Sequence, residues 1–223
     1  MQALDLAVFD LAGTTVEDNG QVPGAFSAAL ADFGIQVTRE QIQAVRGASK
    51  RSALRRLIPP GPQQERLSGE AYDAFKTHLA QSYAVHGVQA IPGAEDVFHF
   101  LRECGARVAL NTGFDRDITA LLLDALGWTS GVVDAVVCGE EVPLGRPAPY
   151  LIFRAMEATG TLDVHRVAVV GDTTLDLQAG YNAGVRWNIG VLTGAHDRLT
   201  LEAAPHTHLI SSVAELIQIW TDS

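Results

Sequence analysis

The sequence contains little lysine and little cysteine. Of its 16 lysine and arginine residues only two are lysine, Lys50 and Lys76. Its two cysteines, Cys104 and Cys138, are too few for a disulfide framework or a cysteine zinc site. The shortage of lysine fits a codon bias, because alanine and glycine are abundant. Each lysine still needs an explanation, since arginine cannot replace an amine in chemistry that requires one.

Long apolar runs, a basic amino-terminal stretch and an excess of positive charge are also missing. No apolar run approaches the length of a membrane span, and the first ten residues contain no lysine or arginine. The 16 basic residues face 26 acidic ones, and the net charge of −10 argues against general nucleic-acid binding. A hydrophobic content of 47% excludes intrinsic disorder. We expect a soluble, cytoplasmic protein with no membrane or nucleic-acid partner.

Short apolar segments alternate with helical patterns over most of the chain. This alternation predicts an α/β fold with a doubly wound parallel sheet and helices on both faces. The predicted strands are residues 4–9, 107–110, 135–138, 167–170, 187–191 and 209–210. Residues 16–90 show helical patterns and no convincing strand. We therefore expect a core formed by residues 1–15 and 91–223, with a small all-helical cap, residues 16–90, inserted after the first strand.

Four polar segments lie just beyond predicted strands or in the loops that follow them. They are DLAGTT (10–15), NTG (111–113), GRPAP (145–149) and GDTTLD (171–176). Ligands of open α/β sheets bind at the carboxyl ends of the strands. The four segments are therefore expected to meet at one site.

The side chains of these segments suit phosphoryl chemistry. Carboxylates such as Asp10, Asp172 and Asp176 suit a hard cation such as Mg²⁺, which also binds phosphate oxygens. Donors for an oxyanion come from Thr112, the Gly113 amide and Arg146. The pattern predicts a metal-assisted phosphoryl site in which Asp10 is the nucleophile. Read singly, Asp10 is a loop carboxylate, and Asp172 and Asp176 favour a helix start.

Taken together, the four segments resemble the motifs of the haloacid dehalogenase superfamily over the whole chain. The resemblance includes the position of the cap. It implies an aspartyl-phosphate intermediate on Asp10 and a bound Mg²⁺. The implied metal ligands are Asp10, the Ala12 carbonyl and Asp172, with Asp176 orienting that set.

Two features narrow the resemblance to one branch. Most phosphatases of the superfamily have a second aspartate two residues after the nucleophile, where this chain has Ala12. Alanine cannot protonate an alkoxide leaving group, which disfavours an ordinary phosphomonoesterase. The DLAGTT segment and the arginine of GRPAP instead resemble the phosphonoacetaldehyde hydrolase (phosphonatase) branch.

Lys50 agrees with that branch, which has a Schiff-base lysine in its cap three residues after a glycine. Gly47 and Lys50 have this spacing. Cleavage of a carbon–phosphorus bond would expel a carbanion, but an imine between Lys50 and a carbonyl turns the leaving group into an enamine. The alternative is a solvated lysine on a basic helix face. The resemblance further implies that Arg46, Gly47, Gly113 and Phe114 contact the substrate, and that the protein forms a homodimer.

Three positions depart from the branch. Ala53 stands in place of a histidine, Arg46 in place of a methionine and Phe114 in place of a tyrosine. A related phosphonate with an added anionic or hydroxyl group for Arg46 is therefore an alternative to phosphonoacetaldehyde as the substrate.

The sequence thus predicts a Mg²⁺-dependent hydrolase that cleaves the carbon–phosphorus bond of a small phosphonate. Three rivals stay open. One is a phosphatase acting on a small activated phosphate, with Lys50 as a binding charge. A dehalogenase also tolerates Ala12, but it does not need the acidic residues Asp172 and Asp176. A non-catalytic phosphate-sensing module would not need Asp10. No role is predicted for Lys76.

Overall fold

The computed structural model describes residues 4–221, which contain six β-strands. The strands are β1 (Leu6–Asp10), β2 (Arg107–Asn111), β3 (Ala135–Val137), β4 (Val167–Gly171), β5 (Trp187–Val191) and β6 (His208–Ile210). Each lies within two residues of a predicted strand at both ends. The turn residues and the short apolar runs therefore predicted the strand content correctly.

Ten α-helices lie between and after these strands in the described part of the chain. They are α1 (Gln21–Ala31), α2 (Arg39–Gln43), α3 (Lys50–Leu57), α4 (Gln64–His86), α5 (Ala94–Glu103), α6 (Arg116–Leu126), α7 (Tyr150–Thr159), α8 (Thr174–Ala183), α9 (Arg198–Glu202) and α10 (Leu216–Thr221). The sequence did not predict α9. The pattern at the end of the sequence predicts one closing helix over 213–220, whereas the structure has a 3₁₀ turn (Val213–Glu215) followed by α10. None of the helices within residues 4–221 has the combination of length and apolarity needed to cross a membrane.

All strand pairs are parallel, in the order β3-β2-β1-β4-β5-β6. This confirms the predicted doubly wound fold. The central strand β1 has β2 on one side and β4 on the other. The chain therefore winds outward in both directions from β1, and the carboxyl end of β1 is the point where ligands bind in such sheets.

Helices cover both faces of the sheet. Ala7 and Phe9 point toward the layer that contains α5, α6 and α10, whereas Leu6 and Val8 point toward α7 and α8. All four side chains are fully buried. A strand that is apolar on both faces belongs in the middle of a parallel sheet, which explains the unbroken apolar run before Asp10.

Helices α1 to α4 lie between β1 and α5 in the order of the chain, and they pack on one another. Phe26 of α1 packs on Phe75 of α4 with ring centroids 4.7 Å apart. The chain leaves and re-enters the core side by side: Glu17 N donates to Gln89 O (2.9 Å) and Ile91 N donates to Thr15 O (2.9 Å). These helices form the predicted helical cap. The assignment of residues 16–90 as a domain of its own stays a prediction.

Candidate active site

Ten of the eleven predicted site residues line one small pocket between the sheet and the cap helices. They are Asp10, Ala12, Arg46, Gly47, Lys50, Thr112, Gly113, Phe114, Arg146 and Asp172. The eleventh, Asp176, lies directly behind the pocket and pairs with Arg146. The cavity has a volume of about 10 Å³, which is room for about one water molecule. The cap is therefore closed over the pocket.

Arg146 holds the carboxylate at the end of β1. Its Nη2 donates to Asp10 Oδ1 at 2.7 Å and to the Asn111 carbonyl at 3.1 Å, and it also contacts Asn111 Oδ1. Its Nε lies 2.9 Å from Asp176 Oδ1. Burial disfavours the charge of this guanidinium, but Asp10 and Asp176 outweigh burial and raise the pKa of Arg146 above its ordinary value. Arg146 is thus a fixed cation.

Three buried carboxylates meet beside this arginine. Ligand atoms of Asp10, Asp172 and Asp176 lie within 4.8 Å of one another. Burial, followed by the charge of Asp10, raises the pKa of Asp172 above the ordinary value of an aspartate. A divalent cation would relieve this repulsion, and hard oxygen ligands suit such an ion. The carboxylates fit a metal site, and the Ala12 backbone lines the same pocket.

Asp172 is oriented by a loop that the sequence analysis missed. Its Oδ2 accepts from the Ala195 amide at 2.6 Å, and its Oδ1 accepts from Thr14 Oγ1 at 3.3 Å. A Cβ atom at Gly194 would overlap the Asp172 carboxylate, so only glycine allows this approach. Gly194 follows the predicted fifth strand, and that position was the available signal.

The loop after β2 carries the predicted oxyanion donors, and the cap loop rests on it. Thr112 Oγ1 accepts from the Phe114 amide at 3.1 Å, so its own hydroxyl proton is available to a phosphoryl oxygen. Gly113 O accepts from the Lys50 amide at 3.2 Å. A Cβ atom at Gly113 would lie 2.7 Å from the Ala48 carbonyl oxygen. The glycine therefore permits the cap loop to rest on this strand end.

Lys50 is the first residue of α3, and its side chain points into the pocket. Ser49 caps the helix through its side-chain oxygen, which accepts from the Ser52 amide at 3.4 Å. Lys50 is only 8% exposed, and its Nζ lies 4.5 Å from the centroid of the Phe114 ring. Burial, and then the charge of Arg46, lower the pKa of Lys50 from 10.5 to about 8. This burial contradicts the alternative that Lys50 is a solvated lysine on a basic helix face.

Arg46 also lines the pocket, and its partner was not predicted. Its Nη2 lies 2.5 Å from Asp18 Oδ2, and both side chains are buried. Asp18 does not stand out in the sequence, because an aspartate in a polar loop before a helix is explained by capping alone. Gly47 follows Arg46 with φ +83°, and a Cβ atom there would overlap Thr173 Oγ1 of the core.

The structure also shows the surroundings of Ala53 and Lys76. Ala53, which replaces a histidine of the phosphonatase branch, is fully buried in the apolar core and does not line the pocket. Lys76, for which no role was predicted, joins α4 to the start of α6. Its Nζ lies 3.6 Å from Asp115 Oδ2 and 3.8 Å from Asp117 Oδ2.

The fold and the site define a class of hydrolase. Residues 7–189 match the profile of the family described as haloacid dehalogenase-like hydrolase, and the chain belongs to that family. Within it, the chain is similar to a phosphonoacetaldehyde hydrolase from Paraburkholderia phytofirmans. The two are 30% identical over 207 residues, which cover 86% of this chain and 76% of the relative. The name of this relative is that of the branch which the motifs resemble.

Solved structures share the fold. A phosphonoacetaldehyde hydrolase-like protein from Oleispira antarctica superposes with a TM-score of 0.86 at 24% identity, covering 99% of this chain and 92% of its own. A predicted phosphoglycolate phosphatase from Haemophilus somnus gives 0.79 at 19% identity, with 99% of both chains covered. At these identities the likeness shows the fold alone.

Proposed function

We propose that the protein is a Mg²⁺-dependent hydrolase that cleaves the carbon–phosphorus bond of a small phosphonate bearing a carbonyl group. Phosphonoacetaldehyde or a close relative is the substrate. The observation that carries the proposal is the buried amine of Lys50, which shares one closed pocket with Asp10. An ordinary phosphate ester gives no reason to bury an amine with a pKa of about 8.

Asp10 is the nucleophile toward phosphorus. Arg146 donates to its Oδ1 and fixes the position of the carboxylate at the end of β1. Thr112, the Gly113 amide and Arg146 hold the phosphoryl oxygens. The carboxylates of Asp10 and Asp172 and the Ala12 carbonyl would hold a Mg²⁺ ion, which would supply positive charge to offset the negative charge of the phosphoryl group.

Lys50 provides the electron sink. Its neutral amine condenses with the carbonyl carbon and, with one proton taken from water, gives an iminium ion and one water. Asp10 then forms a bond to phosphorus, and the electrons of the breaking carbon–phosphorus bond form an enamine on Lys50. The enamine takes a proton on carbon, and water hydrolyses the resulting imine. A second water hydrolyses the aspartyl phosphate, so the net reaction consumes one water.

This sequence of bond changes explains Ala12. An enamine leaves without a proton on oxygen, so no acid is needed two residues after the nucleophile. The cap, which carries Lys50, must close to bring the amine to the core, and closure excludes water from the reactive intermediates.

The test uses the two lysines against each other. The protein is incubated with phosphonoacetaldehyde and borohydride, and the reduced adduct is mapped by mass spectrometry. We expect the adduct on Lys50 in the wild-type protein and in Lys76→Arg, and none in Lys50→Arg. Phosphate release by Lys50→Arg should fall at least 1,000-fold, because a guanidinium keeps the charge but cannot form the imine. An adduct-free wild type, together with an active Lys50→Arg, would refute the proposal.

One observation favours a phosphatase as the second candidate. The Nζ of Lys50 lies over the face of Phe114, an arrangement that stabilises the ammonium form. An ammonium in this place would bind a phosphate ester through its charge alone. In that case Lys50→Arg retains most of the activity, and a small activated phosphate ester is hydrolysed without any adduct.

A further inference from the structure

Arg46 lies where the reaction pocket meets the solvent. It lines the pocket that contains Asp10 and Lys50, and it also lines two surface clefts with volumes of about 680 and 430 Å³. The residue itself is only 8% exposed. A substrate that extends from Lys50 toward the surface would therefore contact this guanidinium.

The ion pair with Asp18 occupies only part of this guanidinium. Asp18 uses both its oxygens, since Oδ1 accepts from the Val22 amide at 3.0 Å and Oδ2 pairs with Arg46. Arg46 has five N–H donors, whereas in the described chain Asp18 is the one carboxylate paired with it. In the described chain none of the Arg46 nitrogens is both fully buried and unpaired, so the N–H groups that Asp18 leaves free are reached by solvent and can donate to a second anion in the pocket.

The outer cleft carries balanced charges on a protein that is acidic overall. Arg39, Arg56 and His196 line it beside Arg46, together with the acidic Glu40 and Asp197. A protein with a net charge of −10 repels anions over most of its surface. At the entrance Arg39 and Arg56 balance Glu40 and Asp197, so this cleft repels a small anion less than the acidic surface around it.

The geometry assigns Arg46 a role in specificity, and we propose that it binds a carboxylate on the carbonyl carbon that condenses with Lys50. The inference rests on the proposed function and names its substrate class, a 2-oxo acid that carries a phosphonate on carbon 3. An aldehyde has only a hydrogen at that position. The planar fork of a guanidinium matches a carboxylate through two parallel hydrogen bonds.

The oxo acid undergoes the same bond changes as the aldehyde. Lys50 condenses with the ketone, Asp10 takes the phosphoryl group, and the carbon–phosphorus electron pair forms the enamine. A proton adds to carbon 3, and water releases the 2-oxo acid from Lys50. A second water frees phosphate from Asp10. The carboxylate of the substrate stays intact and serves only for binding.

The experiment compares kcat/KM for 3-phosphono-2-oxopropanoate and for phosphonoacetaldehyde, measured as phosphate release. We expect wild type to favour the oxo acid, and Arg46→Met to lower the ratio of the two values about 100-fold or more. The matched control is Arg55→Met, which removes an exposed arginine paired with Glu65 and should leave the ratio unchanged. If Arg46→Met does not fold, Arg46→Met combined with Asp18→Asn leaves no unpaired buried carboxylate and takes its place.

The outcomes separate the two claims. If wild type cleaves the aldehyde but not the oxo acid, or if Arg46→Met lowers both values alike, Arg46 is structural and the inference is overturned while the proposed function stands. If neither compound releases phosphate or forms a Lys50 adduct, the proposed function fails and the inference fails with it.

Discussion

Lys50 keeps its amine inside the protein, and the cost of burying that charge determines its pH behaviour. Its pKa falls from 10.5 to about 8, which corresponds to about 3 kcal/mol of disfavoured protonation. At pH 7 roughly a tenth of the side chain is then the neutral amine, against less than about 0.1% for an ordinary lysine. The burial thus supplies a nucleophile near neutral pH.

We predict that imine formation accelerates with rising pH and levels off above about pH 8. The sign follows from the chemistry, because only the neutral amine attacks a carbonyl and protonation below pH 8 removes it. The measurement is the rate of cyanoborohydride-trapped adduct between pH 6 and 9.5. In Arg46→Met the midpoint should move upward, since the charge of Arg46 lowers the pKa of Lys50. A rate that is flat or falls over this range would contradict the assignment of Lys50 as the amine.

The residues that the sequence could identify are those whose type is itself the signal. Asp10, Lys50 and Arg146 stand in motifs whose chemistry requires a carboxylate, an amine and a cation. Asp18 was missed because its role depends on Arg46, a partner 28 residues away that no local pattern identifies. The amide of Ala195 was missed because any residue type provides a backbone N–H.

At the level of elements, three core loops touch the turn that leads into α3, and a glycine lies at each contact. Gly47 meets Thr173, Gly113 meets Ala48, and Gly145 lies opposite Ser49. Side chains at the first two contacts would separate the cap from the core. The position of Lys50 over Asp10 therefore depends on missing side chains as well as on present ones.

We predict that Gly47→Ala lowers kcat/KM at least 10-fold, because its Cβ atom overlaps Thr173 and holds the cap open. The matched control is Gly34→Ala. Gly34 has a similar φ of +71° but nothing within 4 Å of a Cβ atom. Both variants should lose about 1 kcal/mol of unfolding free energy from backbone strain, as measured by denaturant titration. Equal activity losses in the two variants would mean that strain, and not cap contact, is responsible.

The element boundaries were predictable where the chain carries clear start and stop signals. The sequence pattern predicts helices over 50–57 and 116–126, and α3 and α6 have these bounds, since Ser49 and Asp115 cap them and Gly127 ends α6. Helix α9 has five residues, too few for a periodic pattern. The order of strands in the sheet depends on long-range pairing, which the alternation of strands and helices leaves open.

At the scale of the whole molecule, the closed cap leaves too little room for a substrate. A pocket of about 10 Å³ cannot admit a phosphonate, so the proposed function requires cap and core to separate and close in every turnover. Closure is supported away from the pocket by Lys76, which faces Asp115 across the same boundary.

We predict that a disulfide between Ser49→Cys and Gly145→Cys locks the cap and stops turnover. A Cβ atom at Gly145 would lie 3.5 Å from that of Ser49, a distance that a disulfide can span. In a Cys104→Ser background, which removes the exposed natural thiol, the oxidised double variant should lose more than about 90% of its activity and regain it with a reductant. The two single variants are the controls. Full turnover by the oxidised protein would show that the cap does not need to open.

The place where the chain leaves and re-enters the core has an evolutionary consequence. Thr15 and Glu17, where the chain leaves the core, are hydrogen bonded to Ile91 and Gln89, where it returns. The two ends of the inserted segment are therefore adjacent in space. An insertion with joined ends does not disturb the order of the strands, so under the proposed function the core can keep its phosphoryl site while the inserted segment changes. Lys50 and Arg46 both belong to the insertion. Substrate preference can therefore change through substitutions in this one segment, while the core residues proposed to act on phosphorus stay the same.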